Sequence, residues 1–263
     1  MNDLLSAMTA AAQEAGRLLL ESPRPAPGRT MDALRATFAS VDDPAAALLR
    51  RRLDGLVPDA RWAGELDTEL PEKGAVWVID AIDGAVQYLR GLPHWCVSLA
   101  LVRDREPVAA VLHSPVLGET CTAARGAGAH RDGVPVVPAA EGELAAAIVA
   151  TGQPPFPAPG SRAVTEAGRA LSAVVPAVAA VRNLGPVSWQ IADVAAGRLD
   201  GFWEYGRDDA NLLAGALIAR EAGATVTDLD GNPWRAGASG FLVAPPVLHG
   251  DLLEALTAGA ATW

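Results

Sequence analysis

The chain has 263 residues and a formal net charge of −10; half of it is hydrophobic and 20% is charged. Global disorder is excluded by the apolar content. A sequence-independent nucleic-acid binder is excluded by the acidic balance, because phosphates need a basic face. So is docking on anionic membranes through a basic patch. A phosphorylated small molecule stays compatible, since a local metal site overrides the global field. The two cysteines, Cys96 and Cys121, lack CxxC spacing, which argues against a disulfide framework or a cysteine-rich zinc site.

The first segment, MNDLLSAMTAAAQEAGRLLLES, lacks the basic start and cleavage site of a signal peptide. Leu4, Leu5, Met8, Ala11, Ala12, Ala15, Leu18 and Leu19 recur at helical spacing, which predicts an amphipathic helix. No apolar run reaches the roughly 18–20 residues that span a bilayer. A cytoplasmic location without membrane contact is expected. The Pro- and Gly-rich stretch 22–30 ends this helix. A second helix is predicted over about 43–56, with Asp42 or Asp43 as N-cap and Pro44 in the first helical position. Val76–Ile79 reads as a short buried strand that ends in acidic residues. Strands follow at Cys96–Arg103 and Val108–His113, joined by a hairpin turn at 103–107. Two short strands flank Gly126–Gly133.

The stretch 152–162 (GQPPFPAPGSR) is the expected linker. It divides the chain into an N-terminal half, 1–150, and a C-terminal half, 151–263, within one compact unit. Helices are predicted over 163–180 and 188–196, a strand over Leu199–Glu204 and a helix over Asn211–Ala222. A strand at Thr225–Leu229, a turn at Asp230-Gly231 and a strand at Gly240–Ala244 complete the pattern.

The segment Trp77-Val-Ile-Asp80-Ala-Ile-Asp83-Gly84 carries the most chemistry. An apolar strand delivers two carboxylates where the chain must turn. Hard cations such as Mg²⁺ take oxygen ligands, commonly one or two carboxylates with substrate phosphate. The strand end fixes Asp80; the turn can bring Asp83 and the Ile82 carbonyl to the same ion. Alone, such a string is more often an ordinary acidic turn. Upstream, Gly64-Glu65 offers a third carboxylate. Downstream, Glu204, Asp208 and Asp209 precede a helix that Asn211 opens, where Asp and Asn also serve as caps.

With these segments in order, the chain resembles the inositol monophosphatase family, the Mg²⁺-dependent, lithium-sensitive phosphatases of sugar and inositol phosphates. The resemblance covers roughly 3–245. It is carried by Gly64-Glu65, by Trp77–Gly84, by Gly91-Leu-Pro-His-Trp-Cys-Val-Ser-Leu-Ala-Leu101, by Ala195–Glu204 and by Ala214-Gly-Ala-Leu-Ile-Ala-Arg-Glu-Ala-Gly223. It implies an α+β fold, a layered α/β/α/β/α sandwich, in a homodimer. It implies that Glu65, Asp80, Asp83 and the Ile82 carbonyl ligate metal, with Asn211 at a second metal. It implies catalytic roles for Glu65, Asp80 and Asp83. Gly84 and Ala85 then present backbone N–H groups to phosphate, Glu204 holds a substrate hydroxyl, and Gly185 and Pro186 lie in the loop that contacts the polyol.

The chain departs from the family pattern at chemically active positions. Ala85 stands where the family has a threonine that orients the attacking water. Asn211 stands where it has an aspartate, and Leu66 where it has a second glutamate. Asp42 is the nearest match to an upstream acidic motif. The only lysine is Lys73, so a family lysine near the phosphate is missing; Arg35 is a candidate replacement. The expected function is metal-dependent hydrolysis of a small phosphate monoester, slowed by these changes. The alternative is a repurposed scaffold that cyclises, eliminates or only binds a small metabolite. Trp203 and Tyr205 flank Glu204; they either line an apolar pocket or pack in the core.

Overall fold

The computed structural model describes residues 2–63, 70–154 and 157–258. The chain opens with α1 (Asn2–Glu21), whose stripe of Met8, Ala11, Ala12, Ala15 and Leu19 is buried as its spacing predicts. The second helix, α2 (Met31–Leu53), begins twelve residues before the expected 43. Its N-cap is Thr30, whose Oγ1 accepts the Ala33 N–H at 3.3 Å. Pro44 sits in the helix interior, and neither Asp42 nor Asp43 is a cap. The reason is an apolar stripe of Leu34, Phe38, Val41, Ala45, Leu49 and Leu53 that runs through the proline without losing phase. Packing the added turns through Leu34, Phe38 and Val41 offsets the roughly 3 kcal/mol that an interior proline costs.

The first sheet follows chain order: β1 (Arg61–Trp62), β2 (Ala75–Asp83), β3 (Cys96–Arg103), β4 (Glu106–Ser114), β5 (Glu119–Ala124), β6 (Ala129–Arg131) and β7 (Val134–Pro135). The short helix α3 (Ala85–Arg90) leaves the end of β2. The β3–β4 turn is a two-residue one, with Asp104 and Arg105 both at positive φ. That backbone twist matches the twist of the paired strands.

The second sheet contains β8 (Ile148–Thr151), β9 (Ala180–Arg182), β10 (Gly201–Tyr205), β11 (Thr225–Thr227) and β12 (Gly240–Ala244), ordered β11-β12-β10-β8-β9. Its helices are α4 (Arg162–Val174), α5 (Val187–Ala195), α6 (Asp209–Ala222) and α7 (Pro246–Ala258). The helix expected over 163–180 stops at Val174; Val175 still has helical dihedrals, but Pro176 has no N–H with which to continue the ladder. The freed segment becomes β9, parallel to β8. The chain passes from one sheet to the other within 136–147, while 152–162 joins β8 to α4.

The core clusters reveal the layering. One face of the first sheet (Ala75, Trp77, Ile79, Val97, Leu99) packs on α1 and α2. Its other face (Val76, Val78, Ala100, Val102) packs on α5 and α6, which also receive Phe202, Phe241 and Val243 from the second sheet. The outer face of that sheet (Val149, Trp203, Leu242, Ala244) packs on α4 and α7. The result is the layered α/β/α/β/α sandwich. Among the described residues, no helix is long and apolar enough to cross a membrane.

Candidate active site

Side chains alternate between faces along a strand, so Asp80 and Asp83, three residues apart, would point to opposite sides of β2. A β-bulge prevents this. Asp80 pairs with Ser98 and Asp83 with Cys96, so two residues of β2 stand against one of β3. Ala81 and Ile82 consequently both face the α1/α2 core. The phase shift brings Asp83 round to the side of Asp80, facing α5 and α6. Asp80 Oδ1 accepts the Ile82 N–H at 2.9 Å, which braces the bulge.

Gly84 ends the strand at φ 95°, in the left-handed region. A Cβ there would lie 2.8 Å from the His94 carbonyl oxygen. Only glycine permits this approach. Ala85 then opens α3, where the first N–H groups of a helix have no acceptor of their own.

The middle helices and the second sheet supply the opposite wall. Ser188, fully buried in the first turn of α5, donates its hydroxyl to Asp83 Oδ2. Cys96 Sγ lies 3.4 Å behind that hydroxyl. On β10, Phe202 faces the middle layer and Trp203 the outer one. Glu204 therefore faces the middle layer too. Trp203 and Tyr205 pack among the outer-core residues, so neither is a wall of this site. Glu204 is completely buried, and among the described residues neither carboxyl oxygen accepts a hydrogen bond. Gly152 makes room for it: a Cβ at that position would stand 2.6 Å from Glu204 Oε2.

At the entrance to α6, Asn211 Nδ2 donates to both oxygens of Asp208, at 2.8 and 3.0 Å. Asp209 turns away, to the Gly237 N–H at 2.7 Å and the Arg207 guanidinium at 3.4 Å. Burial, aided by the charge of Asp208 and opposed by the Ser188 hydrogen bond, pushes the Asp83 carboxyl up to about 7. Burial pushes Asp208 up to about 6, against the stabilising hydrogen bond from Asn211. Burial and the neighbouring Asp208 charge hold Glu204 well above the ordinary carboxylate range. Burial is thus the leading cause for all three acids. Among the described residues, no Lys, Arg or His forms an ion pair with any of them.

Gly185 and Pro186, both buried, form the turn before α5. Gln190 Oε1 accepts the Leu184 N–H at 2.9 Å and so ties this turn to the helix. The side chain of Gln87 on α3 packs against Gly185, where any Cβ would collide with its amide. The turn is thereby joined to the Gly84–Ala85 corner.

Asp80, Ile82, Asp83, Gly84 and Ala85 are thus consecutive parts of one bulge and turn. Gly185 and Pro186 reach them through Gln87. Glu204 faces the same middle layer from β10. Asn211 is at the same end of α6, but its amide is directed to Asp208. Glu65 lies outside the described residues. Sequence reasoning did not single out Ser188. Its only signal is a small polar residue in the first turn of a mostly apolar helix that also carries Gln190 and Asp193.

The donor set suits a hard cation in chemical type. The groups are oxygen donors, and among the described residues nothing donates a hydrogen bond to the buried carboxyl oxygens of Glu204. Among the described residues, no group of three or more His, Cys, Asp or Glu side chains already stands in a coordinating array.

Comparison with known proteins agrees with this architecture. The model of the inositol monophosphatase family matches residues 3–260. A Nus factor SuhB from Xylella fastidiosa is 34% identical over 226 residues, 85% of this chain and 81% of that protein. An inositol-1-monophosphatase from Rhizobium meliloti is 34% identical over 204 residues, 76% of this chain and 75% of the other. Among solved structures, the extragenic suppressor protein SuhB of Bartonella henselae superposes with a TM-score of 0.82 at 28% identity, covering 97% of this chain and 99% of that one. Five-layered packing, a bulged acidic strand end and a match over nearly the whole length lead to one assignment: the chain belongs to the inositol monophosphatase family.

Proposed function

We propose that this protein hydrolyses small phosphate monoesters of the inositol- or sugar-phosphate type, with Mg²⁺ as its resident ion. The observation that carries the reading is the bulge in β2, which turns Asp80 and Asp83 to one side of the sheet, toward the middle layer that Glu204 also faces. Glu65, Asp80, Asp83 and the Ile82 carbonyl are the groups that would hold the cation. When bound, it neutralises phosphate charge and lowers the pKa of a coordinated water. Ser188 fixes the orientation of Asp83 through its hydroxyl. The Gly84 and Ala85 N–H groups start α3 without intrahelical acceptors and can donate to phosphate oxygens. Glu204, to which no described residue donates a hydrogen bond, accepts a substrate hydroxyl. The Gly185–Pro186 turn closes the polyol side. Ala85 carries no hydroxyl with which to orient water, so turnover is slower than a threonine there would give. A homodimeric, cytoplasmic enzyme without nucleic-acid or membrane partners belongs to the same proposal; it follows from the resemblance and from the charge of −10.

The test is phosphate release from a panel of inositol, sugar and nucleotide phosphates at millimolar Mg²⁺, with and without EDTA. Release that EDTA stops and that Asp80→Ala abolishes is expected. Release no greater than that of Asp80→Ala overturns the reading. Ligand-induced thermal stabilisation without release would instead mark a repurposed or binding-only site.

A further inference from the structure

We propose that Arg131 on β6 is a positioning residue for Asp83: through Asp193 and Trp189 it sets the rotation of α5 about its own axis, and so aims the Ser188 hydroxyl at the carboxylate. The proposal rests on the hydrolase reading above, in which Asp83 is one of the groups that hold the cation.

Alternation along β6 puts Arg131 on the face of Ala129, toward α5 and α6. A guanidinium on that face must be paired, and Arg131 is only 8% exposed. Its Nη2 donates to Asp193 Oδ1 at 2.7 Å. Its Nε donates to the Sγ of Cys121, the residue opposite it on β5, at 3.4 Å. Its guanidinium carbon lies 5.6 Å from the centre of the Trp189 ring, within reach of the attraction between a cation and a ring face. Trp189 and Asp193 are four residues apart and so share one face of α5. Arg131 therefore holds that face at two points from a paired strand of the first sheet. Arg198 also faces Asp193, at 3.9 Å, but its guanidinium is engaged by Glu119 at 2.7 and 3.0 Å. Elsewhere α5 is held by packing of Ile191, Ala192, Val194 and Ala195. Apolar burial is non-directional, so it leaves the rotation of α5 to its directional contacts. Those are Ser188 with Asp83 and Cys96, Gln190 with the Leu184 N–H, and Asp193 with Arg131. Gln190 bonds within its own segment. Arg131 is thus the anchor on the first sheet at the end of α5 away from Ser188. A displacement on the order of 1 Å at a positioning group can cost about 100-fold in rate.

The experiment is a double-mutant cycle on the full chain, read by steady-state phosphate release and by crystal structures. The variants are Arg131→Met, Ser188→Ala, the two together, and Arg131→Met with Asp193→Met. Arg131→Met is expected to lower kcat about 10-fold. In the Ser188→Ala background the same change should cost nothing further, because both changes act on one bond. An equal cost in the two backgrounds overturns the proposal, since a merely structural role for Arg131 would add to the loss of the hydroxyl. Crystals of Arg131→Met should show Ser188 Oγ out of hydrogen-bond reach of Asp83 Oδ2. An unchanged bond overturns the proposal. Arg131→Met strands the Asp193 charge. If it fails to fold, the variant with both Met residues takes its place in the cycle and in the crystals, because apolar side chains replace a buried ion pair without loss of stability in many proteins. That variant should keep the parent's circular dichroism spectrum and still lose kcat; parent-like kcat overturns the proposal. If the parent itself releases no phosphate, the hydrolase reading fails, and the Ser188–Asp83 bond in the crystals alone decides whether Arg131 positions it.

Discussion

The Ser188 hydroxyl donates to Asp83 Oδ2 across 105 residues of chain, joining the first turn of α5 to the end of β2. The bond occupies one carboxylate oxygen and so sets which way the other faces. It also links the two halves of the site, because α5 begins at the Gly185–Pro186 turn. Removing the hydroxyl leaves the Asp83 carboxylate to rotate. Ser188→Ala is expected to lower kcat/KM for phosphate release by about 10–100-fold, the usual cost of losing the group that orients a ligand. Apparent Mg²⁺ affinity should fall with it, while the circular dichroism spectrum stays unchanged. Full activity at unchanged Mg²⁺ dependence would show that Asp83 needs no such support.

Ala85 tests the water-orienting argument in the opposite direction. Ala85→Thr restores a hydroxyl at the start of α3, beside Asp83 and Gly84. Turnover should rise about tenfold or more, within the range of positioned proton-transfer groups. A Thr variant no faster than the parent would mean that the missing hydroxyl does not limit the rate.

Gly84→Ala is expected to damage both fold and site. The left-handed backbone alone costs a non-glycine residue about 1–2 kcal/mol. The new Cβ would also stand 2.8 Å from the His94 carbonyl oxygen, which is backbone and cannot swing aside. A fall in Tm of at least about 3 °C, with loss of phosphate release, should be seen by differential scanning calorimetry and the phosphate assay.

Much of this is legible in the amino-acid sequence. The acidic strand end at Asp80 and Asp83 stands out because an apolar run stops on it. The order of strands and helices followed from period-2 and period-3.6 patterns. What was not legible depends on partners distant in sequence. The bulge at Ala81–Ile82 exists only because β3 pairs with β2 in that register. The N-terminal extension of α2 was hidden by Pro44, which reads as a first-turn residue when its upstream stripe is not weighed with its downstream one. The direction of the Asn211 amide depends on Asp208, which no pattern singles out from Asp209. The packing of Trp203 and Tyr205 followed from alternation about Glu204, once the faces of β10 were known.

Acid sensitivity should trace partly to His113. It is buried, its Nδ1 lies 3.0 Å from Thr120 Oγ1, and burial lowers its pKa below the ordinary 6.5. With the folded pKa below the unfolded one, its contribution is complete above about pH 6.5 and fades as pH falls through that value, because the unfolded chain then takes up a proton that the native state resists. Urea midpoints of the parent and of His113→Asn should therefore converge as pH drops from 7.5 to about 5. A constant gap between the two would assign the histidine no part in the pH dependence.

The most direct test is an anomalous difference map from crystals soaked in Mn²⁺ and phosphate. A Mn²⁺ peak coordinated by Asp80 and Asp83, with phosphate at the Gly84–Ala85 corner, is expected. Water alone, or a side-chain salt link at that position under saturating Mn²⁺, would contradict a cation held by these carboxylates and leave only the fold standing.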